Sequence, residues 1–324
     1  MPPSRARQRA VLVIICPPRL QETSLTLSNP FGCPFTREGI PIATLLVIDG
    51  GLIFRTFFAL PPMTDPHGRP VNAVYGFAAM TLREIRAVRP THVAVAFDVP
   101  IRENRRVALF PGYKGNRPEC PVDLAPQFDL LREVLGALNI ACLQVPGYEA
   151  DDLLGTASLQ AEAAGMQVSL LTGDRDVLQL LSSRTQVRYV RKLPDPDTYD
   201  VPLFAHEYGL MPTQLPDLKG LAGDSSDNIP GINGIGAKTA ARLLQEFHDV
   251  EGVLSNAHTQ KGKLRERLET GGEIARLCKR LATIDRAVPD APHPEQLALR
   301  LDREAGVAKF QELRFRSLLP QLAG

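Results

Sequence analysis

Residues 44–49 read TLLVID, a continuous run of apolar, mostly β-type residues that ends in Asp49. The same pattern recurs in HVAVAFD, residues 92–98, and in QVSLLTGD, residues 167–174. Between these runs lie segments such as QFDLLREVLGAL and EADDLLGTASLQAEAAG, whose apolar residues are spaced three and four apart, as in an amphipathic helix. Continuous apolar strands that alternate with helices indicate a parallel sheet covered on both faces. The sequence therefore predicts an α/β fold for residues 44 to about 210.

All three predicted strands end in aspartate, at Asp49, Asp98 and Asp174. In open α/β sheets, ligands bind at the carboxyl ends of the strands. Aspartate is also a common turn former, so any one of these residues alone would carry no functional meaning. Its repetition at three strands favours a functional site at this edge.

Further carboxylates follow in three short motifs, EADD, TGDRD and GDSSDN. EADD opens a predicted helix, where the helix dipole alone would favour acidic residues. The dipole does not explain the other motifs, so we expect the acids to converge on the strand edge. The nine candidate metal ligands are Asp49, Asp98, Glu149, Asp151, Asp152, Asp174, Asp176, Asp224 and Asp227.

A cluster of nine carboxylates needs counter-charge, because like charges at close range raise one another's pKa. Oxygen-only ligand sets suit hard divalent cations such as Mg²⁺ or Mn²⁺, and a cluster without histidine or cysteine disfavours zinc. Two such ions about 3.5–4 Å apart form a clamp for in-line phosphodiester chemistry. The motifs therefore predict a two-metal phosphodiester hydrolase.

The charge balance fits a polyanionic substrate. The chain has 37 Lys and Arg against 36 Asp and Glu, and without the nine clustered acids the rest of the chain has a surplus of ten positive charges. Residues 99–125 form a Pro- and Arg-rich excursion that is long for a crossover loop. Its basic residues are interleaved with Phe110 and Tyr113, aromatic side chains that can stack on bases. A solvated charged loop is the alternative interpretation.

Beyond about residue 200 the alternation stops, and short helical segments predict a small all-helical domain. Within it, PGINGIGAKTAARLL, residues 230–244, matches the phosphate-binding loop GxxxxGK[ST] only loosely, because Ala237 separates the last glycine from Lys238. A helix-hairpin-helix is favoured, with QLPDLKGLAG as the first helix, GINGIG as the hairpin and a second helix from near Ala237. Such a hairpin presents N–H groups and a helix N-terminus to a backbone phosphate.

Other features bear on location. The sequence has no apolar run near the ~18 residues that span a membrane, so we expect no membrane association. AVLVIIC near the N-terminus is short for a signal peptide and lacks a small-residue cleavage pattern. The five cysteines form no CxxC pair, which fits a reducing cytoplasm. Residues 1–43 are rich in Pro, Ser and Thr without sustained periodicity, and we expect a loosely ordered extension there.

Taken in order, several motifs closely resemble those of the bacterial 5′-nuclease family, which comprises the 5′→3′ exonuclease domain of DNA polymerase I and the free-standing flap endonucleases. These motifs are LLVIDG, VNAVYGFA, YKGNR, VPGYEADDLL, LTGDRDVLQLL and LAGDSSDNIPGINGIGAKTAARLL. The resemblance covers about residues 44–322. It implies a PIN-like α/β nuclease core over 44–210 with a helical arch at about 99–125. It also implies a helix-hairpin-helix (helix–three-turn–helix, H3TH) DNA-binding domain over 211–290 and a C-terminal segment, 291–324, that packs back on the core.

The resemblance implies roles for single residues. Asp49, Asp98, Glu149 and Asp151 would surround a first metal and Asp174, Asp176, Asp224 and Asp227 a second, with Asp151 or Asp174 near both and Asp152 acting directly or through water. The expected catalytic residues of the arch, which steady the reacting phosphate, are Lys114, Arg117 and Arg106. The expected DNA contacts are Tyr113, Gly234, Gly236, Lys238 and Thr239. A monovalent cation such as K⁺ is expected at the hairpin.

The sequence also departs from the family pattern. Arg105 stands where relatives usually carry an aromatic residue, and residues 1–43 have no counterpart. Since no polymerase-like sequence follows Gly324, a stand-alone enzyme is expected unless the chain is a fragment.

The expected function is that of a structure-specific DNA 5′-nuclease that cuts 5′-flapped, nicked or branched duplexes with two Mg²⁺ or Mn²⁺ ions. It would act as a monomer in the cytoplasm, at the nucleoid, in Okazaki-fragment primer removal and DNA repair beside a DNA polymerase and a ligase. Two alternatives stay open. A PIN-type ribonuclease would share the acidic edge without needing the arch or the hairpin, and a non-catalytic helix-hairpin-helix DNA-binding protein or a glycosylase would leave the nine acids without a role.

Overall fold

The computed structural model describes residues 42–322 of the 324-residue chain. The predicted extension, residues 1–43, therefore lies almost entirely outside the described residues. Within residues 42–322, no helix is both long enough and apolar enough to cross a membrane.

One six-stranded sheet forms the centre of the described part of the chain. Its strands are β1 (Thr44–Asp49), β2 (His92–Ala96), β3 (Ala141–Leu143), β4 (Gln167–Thr172), β5 (Thr185–Tyr189) and β6 (Asp197–Tyr199). The strand order is β3-β2-β1-β4-β5-β6, and all neighbours are parallel except β6, which runs antiparallel to β5. The order changes direction between β1 and β4, which is where open α/β sheets bind ligands.

The three strands predicted from the sequence are β1, β2 and β4, and the predicted α/β class with a parallel sheet is confirmed. All three are buried from their second residue onward, because helices cover both faces of the sheet. Asp49 is the last residue of β1, while Asp98 and Asp174 lie two residues beyond the ends of β2 and β4. The three acids therefore stand at the same edge of the sheet, as predicted.

Helices pack on both faces. Residues 44–209, which include the sheet, contribute α1 (Leu52–Ala59), α2 (Asn72–Val88), α3 (Arg105–Leu109), α4 (Ala125–Ala137), α5 (Ala150–Ala163) and α6 (Val201–Tyr208). Residues 210–322 contribute α7 (Leu215–Ala222), α8 (Ala237–Phe247), α9 (Val250–Ser255), α10 (Gly262–Thr270), α11 (Gly272–Ala282), α12 (Arg303–Glu312) and α13 (Leu319–Leu322). One hydrophobic cluster unites α1, α2 and α4 with Phe310 and Phe315 near the C-terminus, and α5 lies in the cluster of the other face.

The helical half begins with α7, and α8 begins at Ala237, where the sequence predicted the second helix of the hairpin. Leu221 of α7 and Leu243 of α8 belong to the same hydrophobic cluster as Leu154 of α5 and Leu170 of β4. The parallel-sheet half and the helical half therefore share one core, which holds the hairpin at a fixed position relative to the sheet edge.

Residues 99–125, here called the basic segment, are compact. They contain a 3₁₀ turn at Ile101–Glu103 and the five-residue α3, followed by turns. Tyr113 lies in a small apolar cluster with Ile229, Cys278 and Leu281, against which Val107 also packs. The resemblance implied a helical arch here. In the structure this segment has one short helix, α3, which folds onto α11 because apolar side chains of the segment pack against the helical half.

Candidate active site

A cavity of about 340 Å³ opens at the carboxyl ends of β1, β2 and β4. Four of the nine predicted ligands line it, namely Asp49, Asp98, Asp151 and Asp174. We call it the acidic cavity. The acids come from four separate segments, and the reversal of strand order between β1 and β4 brings them to one place.

Asp49 is held in a fixed direction. Its Oδ1 accepts a hydrogen bond from the N–H of Gly51 at 2.7 Å, and its Oδ2 accepts one from the hydroxyl of Thr172 at 2.8 Å. Burial, together with the charge of Asp98, raises the pKa of Asp49 to about 6. This environment disfavours an isolated carboxylate and favours one that faces a cation.

Asp98 and Asp151 tie β2 to the start of α5. The Oδ1 of Asp98 accepts a hydrogen bond from the N–H of Ala150, the first residue of α5, at 2.8 Å. Asp151 follows directly and lines the cavity. Burial and the charges of Asp174 and Asp49 raise the pKa of Asp151 well above its ordinary value. The cavity therefore concentrates negative charge.

Asp174 lies in a turn that follows Gly173, against which the side chain of Arg55 packs closely. A Cβ at Gly173 would lie 2.3 Å from the Nε of Arg55, whose Nη2 donates to the Gly173 carbonyl at 2.8 Å. The N–H of Asp174 donates to the hydroxyl of Thr172 at 2.9 Å, and the Oδ1 of Asp174 accepts from the N–H of Asp176 at 2.9 Å. These bonds fix the turn, and the sequence analysis missed both Arg55 and Thr172.

A second pair of acids, Asp176 and Asp224, lines a neighbouring cavity that also includes Asp174. Lys219 of α7 contacts both carboxylates. Burial and the charge of Asp174 raise the pKa of Asp176 to about 7, although Lys219 acts to lower it. At Asp224 burial acts to raise the pKa, but Lys219 outweighs it and the pKa is lowered. Lys219 was not among the residues predicted from the sequence. Its position in α7, five residues before Asp224, was the feature that could have indicated it as a partner of the acids.

Glu149 and Asp227 line neither the acidic cavity nor the cavity that holds Asp176 and Asp224. Both face the basic segment, where the hydroxyl of Tyr113 lies 3.0 Å from Glu149 Oε2 and 3.2 Å from Asp227 Oδ2. Lys114 contacts Glu149, and Arg117 donates to Asp227 at 2.7 Å. Both acids are thus paired with basic side chains, and their role as metal ligands stays a prediction. Tyr113 is 3% exposed, so the expectation that it stacks on DNA bases is not met in this conformation.

Asp152 and Arg106, which the resemblance assigned to the metal site and to catalysis, are each other's partners in the structure. The two carboxylate oxygens of Asp152 accept hydrogen bonds from Nη1 and Nη2 of Arg106 at 2.7 Å, and also from the N–H groups of Glu149 and Asp285. Both side chains are buried, and a buried charge requires such pairing. Four protein donors therefore occupy the Asp152 carboxylate and Arg106 is its counter-ion, while the metal role of Asp152 and the catalytic role of Arg106 stay predictions.

Lys114 and Arg117, to which the resemblance assigned a catalytic role, line the acidic cavity. Burial alone would lower the pKa of Lys114, but the carboxylates of Glu149 and Asp227 raise it above its ordinary value. Lys114 therefore keeps its charge beside the four acids.

The hairpin residues lie at the surface of the helical half. Gly234 has φ of +80°, and a Cβ there would lie 2.3 Å from the guanidinium of Arg267, whose Nη1 donates to the Gly234 carbonyl at 2.9 Å. Gly236 is the N-cap of α8 and supplies no side chain to its first N–H groups. Lys238 is exposed and Thr239 is half-buried in that first turn. The start of α8 thus presents N–H groups and a positive charge to solvent.

Across residues 42–322, no three His, Cys, Asp or Glu side chains are arranged as a ready-made metal site. The donor set of the acidic cavity nevertheless fits a hard divalent cation, because it consists of four carboxylates without nitrogen or sulfur donors. The pKa values of Asp49 and Asp151 are raised first by burial and then by the neighbouring aspartates, and a bound cation would offset both effects.

Two family models match consecutive parts of the chain. One, described as "5'-3' exonuclease, N-terminal resolvase-like domain", matches residues 44–209. The other, described as "5'-3' exonuclease, C-terminal SAM fold", matches residues 210–304. Together they cover the sheet with the acidic cavity and the helical half with the hairpin.

Among curated proteins, the chain is 44% identical to DNA polymerase I of Bacillus caldotenax over 282 residues, which are 86% of this chain and 32% of that protein. It is 40% identical to DNA polymerase I of Bacillus subtilis over 282 residues, with the same shares covered. The chain thus spans about a third of the length of these relatives.

Among solved structures, the fold is similar to the T5 D15 protein co-crystallised with metal ions, with a TM-score of 0.62 and 20% identity over 87% of this chain and 100% of that one. It is also similar to flap endonuclease-1 from Methanococcus jannaschii, with a TM-score of 0.56 and 15% identity over 87% and 91% of the two chains. At these identities the likeness concerns the fold. On the two family models and the close relatives, the chain belongs to the 5′-3′ exonuclease family.

Proposed function

We propose that this chain hydrolyses phosphodiester bonds of DNA near a 5′ end, as a divalent-metal-dependent 5′→3′ exonuclease and 5′-flap endonuclease. The observation that carries the proposal is the acidic cavity, in which four carboxylates face Lys114 and Arg117. A cavity with both signs of charge suits a phosphate group that is bound through cations on one side and through basic side chains on the other.

Asp49, Asp98, Asp151 and Asp174 are the residues that would hold a first Mg²⁺ or Mn²⁺. Asp176 and Asp224 would contribute to a second ion beside Asp174, which lines both cavities. Bound there, such ions lower the pKa of water and stabilise the charge of the leaving oxygen. Glu149 and Asp227 would join only after Lys114 and Arg117 leave them.

The chain's own basic groups would position the substrate. Lys114 and Arg117 are held by Glu149 and Asp227 at the mouth of the cavity, so they are oriented before a phosphate arrives. Arg117 is less buried than Lys114, with 38% of its side chain exposed. We expect Arg117 to contact the phosphate first and Lys114 to stabilise the charge that develops during the reaction.

The helical half would hold the duplex. Lys238 and the first N–H groups of α8 are exposed and suited to one backbone phosphate, which would fix position without reading sequence. A monovalent cation at the hairpin would have to displace Arg267 from the carbonyl of Gly234.

The relatives named DNA polymerase I support a role beside a DNA polymerase, and we extend it to primer removal and repair together with a ligase. Solved neighbours titled as complexes with DNA support DNA as the substrate, and we propose a 5′-flapped, nicked or branched duplex. We further propose that the protein acts as a monomer, in the cytoplasm at the nucleoid.

The test is cleavage of a 5′-flapped duplex, with single-stranded RNA as the control. We expect Mg²⁺-dependent cleavage of the flapped DNA within a few nucleotides of the junction and none of the RNA. Efficient RNA cleavage would favour a ribonuclease. DNA binding without cleavage at any divalent ion would favour a non-catalytic helix-hairpin-helix protein.

A further inference from the structure

A cavity of about 620 Å³ lies between α3 and the C-terminal end of α11, outside the candidate active site. Its lining holds four arginines against a single acid, and we call it the arginine cavity. Those charged residues are Arg105, Arg106, Arg280, Arg286 and Asp285.

Three of the four guanidinium groups have partners. Arg105 pairs with Asp285 and lies 4.2 Å from the centre of the Tyr148 ring. Arg286 lies 3.6 Å from a carboxylate oxygen of Glu162. Arg106, as described above, is the buried partner of Asp152.

Arg280 differs from the other three. It is exposed, and within the described range of the chain its guanidinium has no carboxylate or hydrogen-bond partner. A positive surplus with an unpaired guanidinium indicates an anion site, because a guanidinium binds phosphate through two parallel hydrogen bonds.

The arginine cavity and the acidic cavity lie on either side of one ion-pair network. Arg106, which lines the former, has its Nη1 3.1 Å from Glu149 Oε2, and Glu149 contacts Lys114, which lines the latter. The two cavities are therefore linked by three ion-paired residues, Arg106, Glu149 and Lys114.

We propose that the arginine cavity binds a backbone phosphate of the single-stranded 5′ tail of a DNA substrate, an inference that rests on the proposed function. The volume suits one nucleotide rather than a duplex. The exposed side chain of Leu109 adds an apolar surface for a sugar or a base. Recognition through guanidinium groups and phosphate carries no sequence preference.

The test compares a 5′-tailed, a 3′-tailed and a blunt duplex, with affinities measured in EDTA so that no metal-dependent cleavage occurs. We expect Arg280→Glu to weaken binding of the 5′-tailed duplex by about tenfold, the value for one lost charge-assisted contact. Arg280→Gln should have a smaller effect. The slope of log K against log salt should fall by about 0.7 for the 5′-tailed duplex.

Arg316→Glu is the matched control, because Arg316 is also exposed and lies in the C-terminal segment that packs on the opposite face of the sheet. It should leave the difference between tailed and blunt duplexes unchanged. Three results would each overturn the proposal. Arg280→Glu could lose the same affinity for all three duplexes, Arg316→Glu could lose as much affinity for the 5′-tailed duplex as Arg280→Glu does, or Arg280→Glu could lose no affinity.

Two further experiments distinguish a DNA strand from a free phosphate ion as the ligand, and failure of this proposal from failure of the proposed nuclease function. A single-stranded oligonucleotide should compete for the site, and inorganic phosphate at equal ionic strength should not. Equal competition by inorganic phosphate would identify a small-anion site and overturn the strand assignment. Cleavage of the tailed duplex by wild type is measured separately with Mg²⁺. If wild type does not cleave the tailed duplex but still binds it more tightly than the blunt duplex, the proposed nuclease function is refuted and the phosphate site is not.

Discussion

Arg106 and Asp152 form a buried two-point ion pair in which both N–O distances are 2.7 Å. The same guanidinium also donates to the carbonyl of Leu281 at 3.0 Å and to that of Thr283 at 2.9 Å. One side chain thus joins the basic segment to α5 and to the end of α11. The pair is expected to hold the two halves of the chain in one arrangement around the acidic cavity.

Arg106→Ala should therefore destabilise the protein strongly. Removing one partner of a buried ion pair leaves an uncompensated charge, which costs about 3–5 kcal/mol. Urea unfolding at neutral pH would measure the free energy of unfolding. Arg265→Ala is the control, since the Arg265–Glu269 pair is about half exposed and its loss should cost less than about 1 kcal/mol. Equal losses in the two variants would contradict the structural role of Arg106.

Asp174→Asn and Asp152→Asn should have different effects on metal binding. Asp174 lines both acidic groups, so its neutralisation should weaken Mg²⁺ or Mn²⁺ binding and reduce cleavage by at least about a hundredfold. Asp152 is occupied by Arg106, so its neutralisation should lower stability while the metal affinity of the folded protein stays the same. Calorimetric titration with Mn²⁺, combined with circular dichroism, would measure both properties. Loss of metal affinity in Asp152→Asn would restore that residue to the ligand set.

Those parts of the fold were predictable that are specified by a pattern within one short stretch of sequence. The apolar runs of β1, β2 and β4 are continuous and end in aspartate, and the start of α8 follows from the glycines before Ala237. In contrast, β3 and β6 have three residues each, which is too short for a period to show. Asp49, Asp98 and Asp174 lie in one cavity because strand ends in a parallel sheet share an edge, and Asp151 joins them from the start of α5.

Pairing between distant residues was not predictable from the same sequence. Asp152 and Asp151 are adjacent and chemically identical, yet one is bound by Arg106 and the other lines the acidic cavity. The choice depends on helix rotation and on a partner 46 residues away. Lys219 was missed for the same reason, since its contact with Asp176 joins α7 to the turn after β4.

Lys219→Met should make stability depend more strongly on divalent metal. Without the ammonium group, Asp176 and Asp224 are crowded without counter-charge, so the Tm in EDTA should fall. Mg²⁺ at matched ionic strength should raise the Tm more in this variant than in wild type, because a bound cation replaces the missing charge. Lys279→Met is the control, since Lys279 pairs with Asp217 in the helical half at 2.6 Å. The Tm of Lys279→Met should fall, but Mg²⁺ should raise it no more than it raises the Tm of wild type. The same rise in Tm with Mg²⁺ in wild type, Lys219→Met and Lys279→Met would contradict a cation site at Asp176 and Asp224.

Lys238→Glu should weaken binding of duplex DNA and leave the metal site unchanged. Lys238 is exposed in the first turn of α8, while the acidic cavity is lined by residues of the sheet half. Charge reversal at a helix N-terminus removes one phosphate contact and adds repulsion. The loss should be nearly the same for every DNA sequence, because backbone contacts position the protein without specifying bases.

Affinity for blunt duplexes of two unrelated sequences should be measured from low to moderate salt. The slope of log K against log salt should fall by about one unit in Lys238→Glu, as expected for one lost phosphate contact. Arg316→Glu makes the same change of charge on the C-terminal segment and should leave the slope nearly unchanged. An unchanged slope in Lys238→Glu, or a loss confined to one of the two sequences, would show that the start of α8 does not bind the DNA backbone.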